Sequence, residues 1–197
     1  MSAHTPIAAV ADKRPAASGS APSRTGAVPP ESEAPSRRFR RTAGRFPTGV
    51  TVVTTLDQDR RPHGTTVNSF TTVSMDPCLV LVALGHSSRL HDKILASSAF
   101  TVSVLSATQE HEARWFADPA RPAGVDAFTG RPWSPAPYSG APILLDGVAY
   151  FDCAVEEARP AGDHTLLVGR VETFGVLSDV PALTFADSAF TPREGQL

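Results

Sequence analysis

β-branched residues recur in short runs along most of this chain, and that recurrence limits the fold more than any other feature. VTVVTT at Val50–Thr55 is β-branched throughout. Such side chains are stiff at χ1 and pack well on a pleated, half-buried surface. A polar turn at Asp57–Arg60 and the Pro62–Gly64 step lead into a second run around Thr65–Phe70. LVLVAL at Leu79–Leu84 is continuously apolar, the pattern of a strand covered on both faces. Phe100–Leu105 alternates, and Val148–Val155 places Ala149, Phe151, Cys153 and Val155 on one face. His164–Val176 reads as a last long strand, with Leu166 and Val168 on one face and Leu167, Gly169 and Val171 on the other.

Few helices interrupt the strands. Phe39 and Ala43 fall four apart in a short helix near Arg37. Ser87 or Ser88 is placed to cap a second helix that buries Leu90, Ile94 and Leu95. Ser106 and Gln109 form a capping box for a third, which carries Ala113 and Phe116. Asp118–Pro142 is crowded with Pro and Gly and reads as a long loop over a site or an interface. Many short strands with few helices predict a mainly β chain: a closed or partly closed antiparallel barrel. Residues 1–36, rich in Ala, Pro, Ser and Gly without apolar periodicity, read as a disordered leader. Residues 37–190 read as one domain and 191–197 as a C-terminal tail.

Composition excludes several function classes. A formal net charge of -2 in 197 residues lacks the basic excess that a nucleic-acid partner demands. No run is apolar and long enough to cross a bilayer, and the first twenty residues lack the order of a signal peptide. Cytoplasm is the expected location. Cys78 and Cys153 stand far apart with no CxxC, and are expected to be two buried structural thiols. The six histidines form neither HExxH nor HxH, so no metal site is expected. GxGxxG, GxxxxGK[ST] and GxSxG are all absent.

What remains is a polar stretch, His63–Pro77 (HGTTVNSFTTVSMDP), in which hydroxyls occur on both faces of a strand. A Thr-rich exposed strand is one reading. The other is a neutral surface of donors and acceptors for a flat polar ligand, such as an isoalloxazine ring edged with carbonyl and NH groups. GHSSR at Gly85–Arg89 follows an apolar strand at a helix start, where free backbone NH groups and hydroxyls either seat a phosphate or simply cap the helix. GDH at Gly162–His164 puts an imidazole at the barrel rim, in a structural or a functional role.

In this order the pieces resemble the flavin reductase-like family of the split β-barrel superfamily, which implies a mainly β fold: a split antiparallel Greek-key barrel with a few short helices. The pieces are RFPTGVTVVTT (Arg45–Thr55), GTTVNSFTTVSMDPCLVLVAL (Gly64–Leu84), SSRLHDKILASSAFTVSVLSATQEHEARWFA (Ser87–Ala117), GAPIL (Gly140–Leu144), FDCAVEEARPAGDHTLLVGRV (Phe151–Val171) and LTFADSAF (Leu183–Phe190). Thr72 and Cys78 stand where that family more often has Ser and Pro. The resemblance implies an NAD(P)H:flavin oxidoreductase using FAD or FMN with NADH or NADPH, and a homodimer. It also implies a separate monooxygenase or halogenase that takes up the reduced flavin. A split-barrel carrier or sensor that binds flavin or haem without NAD(P)H turnover is the alternative.

By the same resemblance the flavin ring is lined by Thr65, Thr66, Val67, Asn68, Ser69 and Ser74, and approached by Thr48 and Gly49. Ser87, Ser88 and Arg89 seat its phosphate, and Phe116, with the loop around Phe128, borders the site. His164 orients the nicotinamide, while Thr66, Asn68 and Ser69 are the expected donors to the flavin pyrimidine edge. Arg114, Arg121 and Arg131 are candidates to meet a 2′-phosphate.

Overall fold

The computed structural model describes residues 34–191, so most of the expected leader and all but the first residue of the expected tail lie outside the described residues. The helix expected near Arg37 is α1 (Pro35–Ala43), with proline at its first position, where a missing N–H costs nothing. After the two-residue β1 (Thr48–Gly49) come β2 (Thr51–Leu56), β3 (Pro62–Val67), β4 (Thr71–Met75) and β5 (Cys78–Gly85). The middle of the chain holds α2 (His91–Ser97), β6 (Ala99–Val104), α3 (Glu110–Ala117), a 3-10 turn at Gly124–Phe128, β7 (Trp133–Pro135) and β8 (Pro142–Leu144). The long hairpin β9 (Ala149–Ala161) and β10 (His164–Val176) follows, then β11 (Thr184–Ala186) and β12 (Ala189–Thr191).

Seven strands form the main sheet in the order β3-β2-β6-β9-β10-β5-β4, with every pairing antiparallel. β1, β11 and β12 make a small second sheet, and β7 pairs with β8. The main sheet curls so that its two ends approach: the Ser69 hydroxyl, just past β3, donates to the Ala83 carbonyl (3.0 Å) and accepts from the Ala83 N–H (2.9 Å) in β5. No strand pairing joins β3 to β5, so the barrel has a seam there, bridged by a side chain.

VTVVTT forms the wall between two apolar cores. Val53 faces a cluster inside the barrel with Val82, Leu84, Phe100, Val102 and Leu167. Val52 faces a second, outside the sheet, with Leu105, Phe116, Phe128 and Leu144. The threonines between them are buried and hydrogen-bonded, as buried hydroxyls must be: Thr51 to the Val67 carbonyl (2.9 Å), Thr54 to that of Pro142 (2.7 Å), Thr55 to that of Ala99 (2.7 Å).

Several sequence expectations need correction. Thr65–Phe70 is not one strand: β3 stops at Val67, and Asn68–Phe70 carries the chain to β4 at the opposite end of the main sheet. The Ser69–Ala83 bonds explain the break, since they turn the backbone out of the β3 ladder. Neither Ser87 nor Ser88 caps α2; its N-cap is Leu90, without a side-chain bond. The Ser88 hydroxyl instead accepts from the Leu90 N–H (3.3 Å), a local turn that competes with capping. Leu90 and Ile94 are buried, but Leu95, rotated to the outer face, is exposed. Cys153 is buried, whereas Cys78 is exposed because it starts β5 at the tip of the β4–β5 hairpin.

The capping box expected at Ser106 does not cap α3, which starts at Glu110 with Gln109 as its N-cap and no side-chain bond there; the Gln109 Oε1 accepts from the Ser106 N–H (3.0 Å) in the preceding turn, while the Ser106 hydroxyl meets Thr108 (3.0 Å). Ala113 and Phe116 are buried as expected. The Asp118–Pro142 loop is partly ordered by the 3-10 turn and β7. It is tied to α3 by Trp115, which donates to the Ala127 carbonyl (2.9 Å) and carries the Arg131 guanidinium on its face (4.1 Å).

Candidate functional site

The barrel seam holds a groove of about 230 Å3. One wall is Thr65–Ser69, at the end of β3; the other is Ala83–Gly85, at the end of β5; Ser88 and His164 close it. β3 is a terminal strand of the main sheet, so one of its edges offers backbone N–H and C=O groups without a strand partner.

Of the expected site residues, the structure brings together Thr65, Thr66, Val67, Asn68, Ser69, Ser88 and His164. Their hydroxyls are not equivalent. Thr66 spends its hydrogen on the Ala113 carbonyl (2.6 Å), and Ser69 is occupied by Ala83. In this arrangement both hydroxyls bond to the chain itself. The Thr65 hydroxyl and the Asn68 amide have no hydrogen-bond partner among the described residues; with the Ser88 hydroxyl, whose hydrogen goes to no described residue, they are the side-chain donors left to face the groove.

The remaining expected residues lie elsewhere. Thr48 and Gly49 pair with Phe185 and Thr184 in the small sheet, and the Thr48 hydroxyl is buried without a partner among the described residues. Ser74 sits on β4 and Ser87 is exposed on the turn, neither lining the groove. Phe116 is fully buried beneath Gly64, where an added Cβ would come within 3.1 Å of its ring. It supports the floor of the site and does not line it.

His164 opens β10 opposite Gly85, after a tight turn in which Gly162 adopts φ +64°, a conformation costly for other residues. Its ring lies over Gly85: a Cβ there would be 3.6 Å from Nε2. Asp163 fixes the ring from the other side, its carboxylate 2.7 Å from Nδ1. That bond holds the Asp163 carboxyl below the usual carboxylate range. With Nδ1 protonated toward Asp163, Nε2 of the neutral ring is an acceptor on the groove side.

Beyond Ser88 a second cleft, of about 320 Å3, continues along His63 and Gly64. Arg89, expected with the phosphate-binding serines, lines this cleft rather than the groove. Its other charged lining residues are Lys93 and Arg121. The two other candidate arginines are engaged away from it. Arg114 pairs with Glu110 (2.6 Å), and Arg131 lies on Trp115. The expectation of a helix-dipole seat at GHSSR also changes, because α2 is one short helix starting at His91 and the turn bonds to itself (Ser88 N–H to Gly85 carbonyl, 2.9 Å).

Sequence reasoning missed Ala83 and Leu84, which read as core strand, and Lys93; Gly85 and His63 stand in the two stretches it singles out, but not as lining residues. The glycine ending an apolar strand was the available signal for close backbone approach. Among the described residues no His, Cys, Asp or Glu cluster can hold a metal ion, and no helix is long and apolar enough to cross a membrane.

The flavin reductase like domain model matches residues 43–193. The NADH-dependent FAD reductase of Streptomyces globisporus is 46% identical over 136 residues, 69% of this chain and 74% of its own length. An NADH:FAD oxidoreductase of the same organism, solved with NAD and FAD fragments, superposes with a TM-score of 0.74 at 39% identity, covering 80% of this chain and 92% of that one. BorF, the flavin reductase component of a bacterial two-component tryptophan halogenase, gives a TM-score of 0.77 at 37% identity, over 82% of this chain and 99% of BorF. Other curated relatives are longer, and the matched stretch spans 49% of their length. This chain belongs to the flavin reductase-like family, built on the split β-barrel.

Proposed function

We propose that the protein is an NAD(P)H:flavin oxidoreductase that reduces FAD or FMN and releases reduced flavin to a separate monooxygenase or halogenase. The observation that carries this reading is the seam groove, where the Thr65 hydroxyl, the Asn68 amide and the free edge of β3 meet opposite His164. That donor and acceptor set fits the carbonyl and NH edge of an isoalloxazine ring. The relatives named above, an NADH-dependent FAD reductase and a halogenase's reductase component, support the same activity and the preference for NADH.

When bound, the nicotinamide supplies a hydride and the flavin accepts it; this chemistry belongs to the cofactors. The chain holds the two rings in register and needs no strong general base. Asn68 and Thr65 orient the flavin edge by hydrogen bonding, and Ser69 and Thr66 hold the strands that carry them. His164 Nε2 accepts from the nicotinamide carboxamide, with its tautomer set by Asp163. Most of the rate gain on this reading comes from positioning, with reacting atoms about 3–3.5 Å apart.

The groove is shallow for a nucleotide, and the β4 edge leaves Val73 and Met75 52% and 78% exposed. Those features favour a homodimer whose second subunit completes the walls, as the sequence resemblance implies. The cytoplasm is the proposed location. The deciding experiment is NADH and NADPH oxidation at 340 nm with FAD, FMN or riboflavin added in turn. Flavin-dependent turnover is expected; tight flavin binding without turnover would replace the reductase by a flavin carrier.

A further inference from the structure

A third cleft, of about 440 Å3, lies at the start of α3 and shares no lining residue with the seam groove or with the cleft beyond Ser88. Its volume is in the range of small-molecule sites, roughly 300–1,000 Å3. The turn into α3 supplies one part of its lining, the β8–β9 turn a second, and the chain after β10 a third.

Gln109 carries the first clue. It is only 5% exposed, and its Oε1 accepts from the Ser106 N–H (3.0 Å), which fixes which way the amide points. The amide nitrogen is left lining the cleft without a hydrogen-bond partner among the described residues. A nearly buried donor is costly to leave unpaired, so its complement in the cleft is an acceptor.

The rest of the lining is chiefly acceptor. Glu112, on the first turn of α3, is approached by the exposed His111 (3.6 Å), and its field also reaches Arg131, whose guanidinium lies on Trp115. Asp146 has no hydrogen-bond or ion-pair partner among the described residues. The Ser178 hydroxyl donates to the Gly147 carbonyl (3.0 Å) and so presents lone pairs. No Lys or Arg is among the lining residues, and Leu145 and Val180, both partly exposed, add an apolar rim.

This set selects its ligand. A metal ion would find two carboxylates without a third His, Cys, Asp or Glu, and would face the positive end of the Gln109 amide. A plain alkylamine would satisfy the carboxylates and leave that amide unpaired. We infer that the cleft binds a small hydroxylated amine, an amino alcohol or amino sugar. Its ammonium meets Glu112 and Asp146, its hydroxyls bridge Ser178 and the Gln109 amide, and its carbon skeleton rests on Leu145 and Val180.

The test is calorimetry on the whole chain with glucosamine, N-acetylglucosamine and butylamine as probes, and calcium chloride as competitor. Glucosamine is expected to bind, and acetylation, which removes its charge, to weaken it roughly tenfold. Butylamine should bind more weakly than glucosamine, and calcium should not displace the sugar. Glu112→Gln and Asp146→Asn should each weaken glucosamine about fivefold to tenfold. Asp59→Asn, outside the cleft, should leave it unmoved, with near-ultraviolet circular dichroism showing that all three variants are folded. No glucosamine binding by the wild type would overturn the inference. So would equal affinity for the acetylated sugar or for butylamine, or unchanged affinity in both cleft variants. None of these outcomes depends on the reductase reading, because the cleft and the seam groove have no residue in common.

Discussion

Ser69 closes the barrel seam by holding both backbone groups of Ala83, donating to the carbonyl at 3.0 Å and accepting from the N–H at 2.9 Å. One hydroxyl thus replaces two rungs of a missing ladder between β3 and β5 and leaves the space beside it open for a ligand. Ser69→Ala removes both bonds and leaves two half-buried backbone groups unpaired. The variant is expected to lose about 1–3 kcal/mol of stability, read as a lower urea midpoint, together with weaker flavin binding. An unchanged midpoint would show that the seam is held elsewhere.

Asn68 offers the opposite case. Its amide is exposed and makes no hydrogen bond among the described residues, so Asn68→Ala is expected to leave the urea midpoint within about 0.5 kcal/mol of wild type. Flavin affinity should fall several-fold. Parallel losses of stability and affinity would mean that Asn68 is a structural residue.

A tight approach inside the barrel gives a third test. A Cβ at Gly169 would lie 2.5 Å from Cζ of Phe100 and 3.0 Å from the Cys153 Cβ. Phe100 is fully buried, so its ring has no room to yield. Gly169→Ala is expected to cost about 1–3 kcal/mol through overpacking, seen as a lower melting temperature. Adding Phe100→Leu should recover part of it; a fall with no recovery would place the strain in the backbone and not at the ring.

Periodicity made most of this architecture readable. The β-branched run at Val50–Thr55 reads as a strand, and β2 forms there, with Val52 and Val53 facing the two cores. His164–Val176 matches β10 end to end because its alternation is long and its turn holds Gly162. The failures share a cause. Ser69, Thr66 and Ser88 are read from sequence as available hydroxyls, but a hydroxyl's partner is set by which backbone carbonyl the fold brings near, and that is tertiary information. Lys93 and Arg121, twenty-eight positions apart, form a cleft that no local pattern encodes.

Acid sensitivity follows from the His63–Asp57 pair. Burial outweighs the Asp57 hydrogen bond and pushes the His63 imidazole below its ordinary 6.5. The unfolded chain therefore takes up this proton more readily than the folded one, and stability is lost as pH falls below 6.5. Asp57, held at about 2 chiefly by its hydrogen bond to His63, contributes stability that is present above 3.8 and lost as pH falls toward 2. The urea midpoint should decline from pH 7 to pH 5.5, and His63→Gln should flatten that limb. A wild-type midpoint constant over this range would refute the assignment.

His164 provides the sharpest test of the site, because its ring is held by Asp163, which does not line the groove. In the tautomer that donates Nδ1–H to Asp163, Nε2 faces the groove as an acceptor. His164→Ala should raise the KM for NADH at saturating FAD by about fivefold, the worth of one hydrogen bond near 1 kcal/mol. His164→Gln, which keeps an acceptor oxygen, should recover part of the loss. Asp163→Asn should give a smaller rise, since the amide no longer selects the tautomer. Flavin affinity should stay put in all three, separating a nicotinamide role from general damage to the groove. If His164→Ala leaves NADH kinetics untouched, the imidazole serves only to pack over Gly85 at the barrel rim.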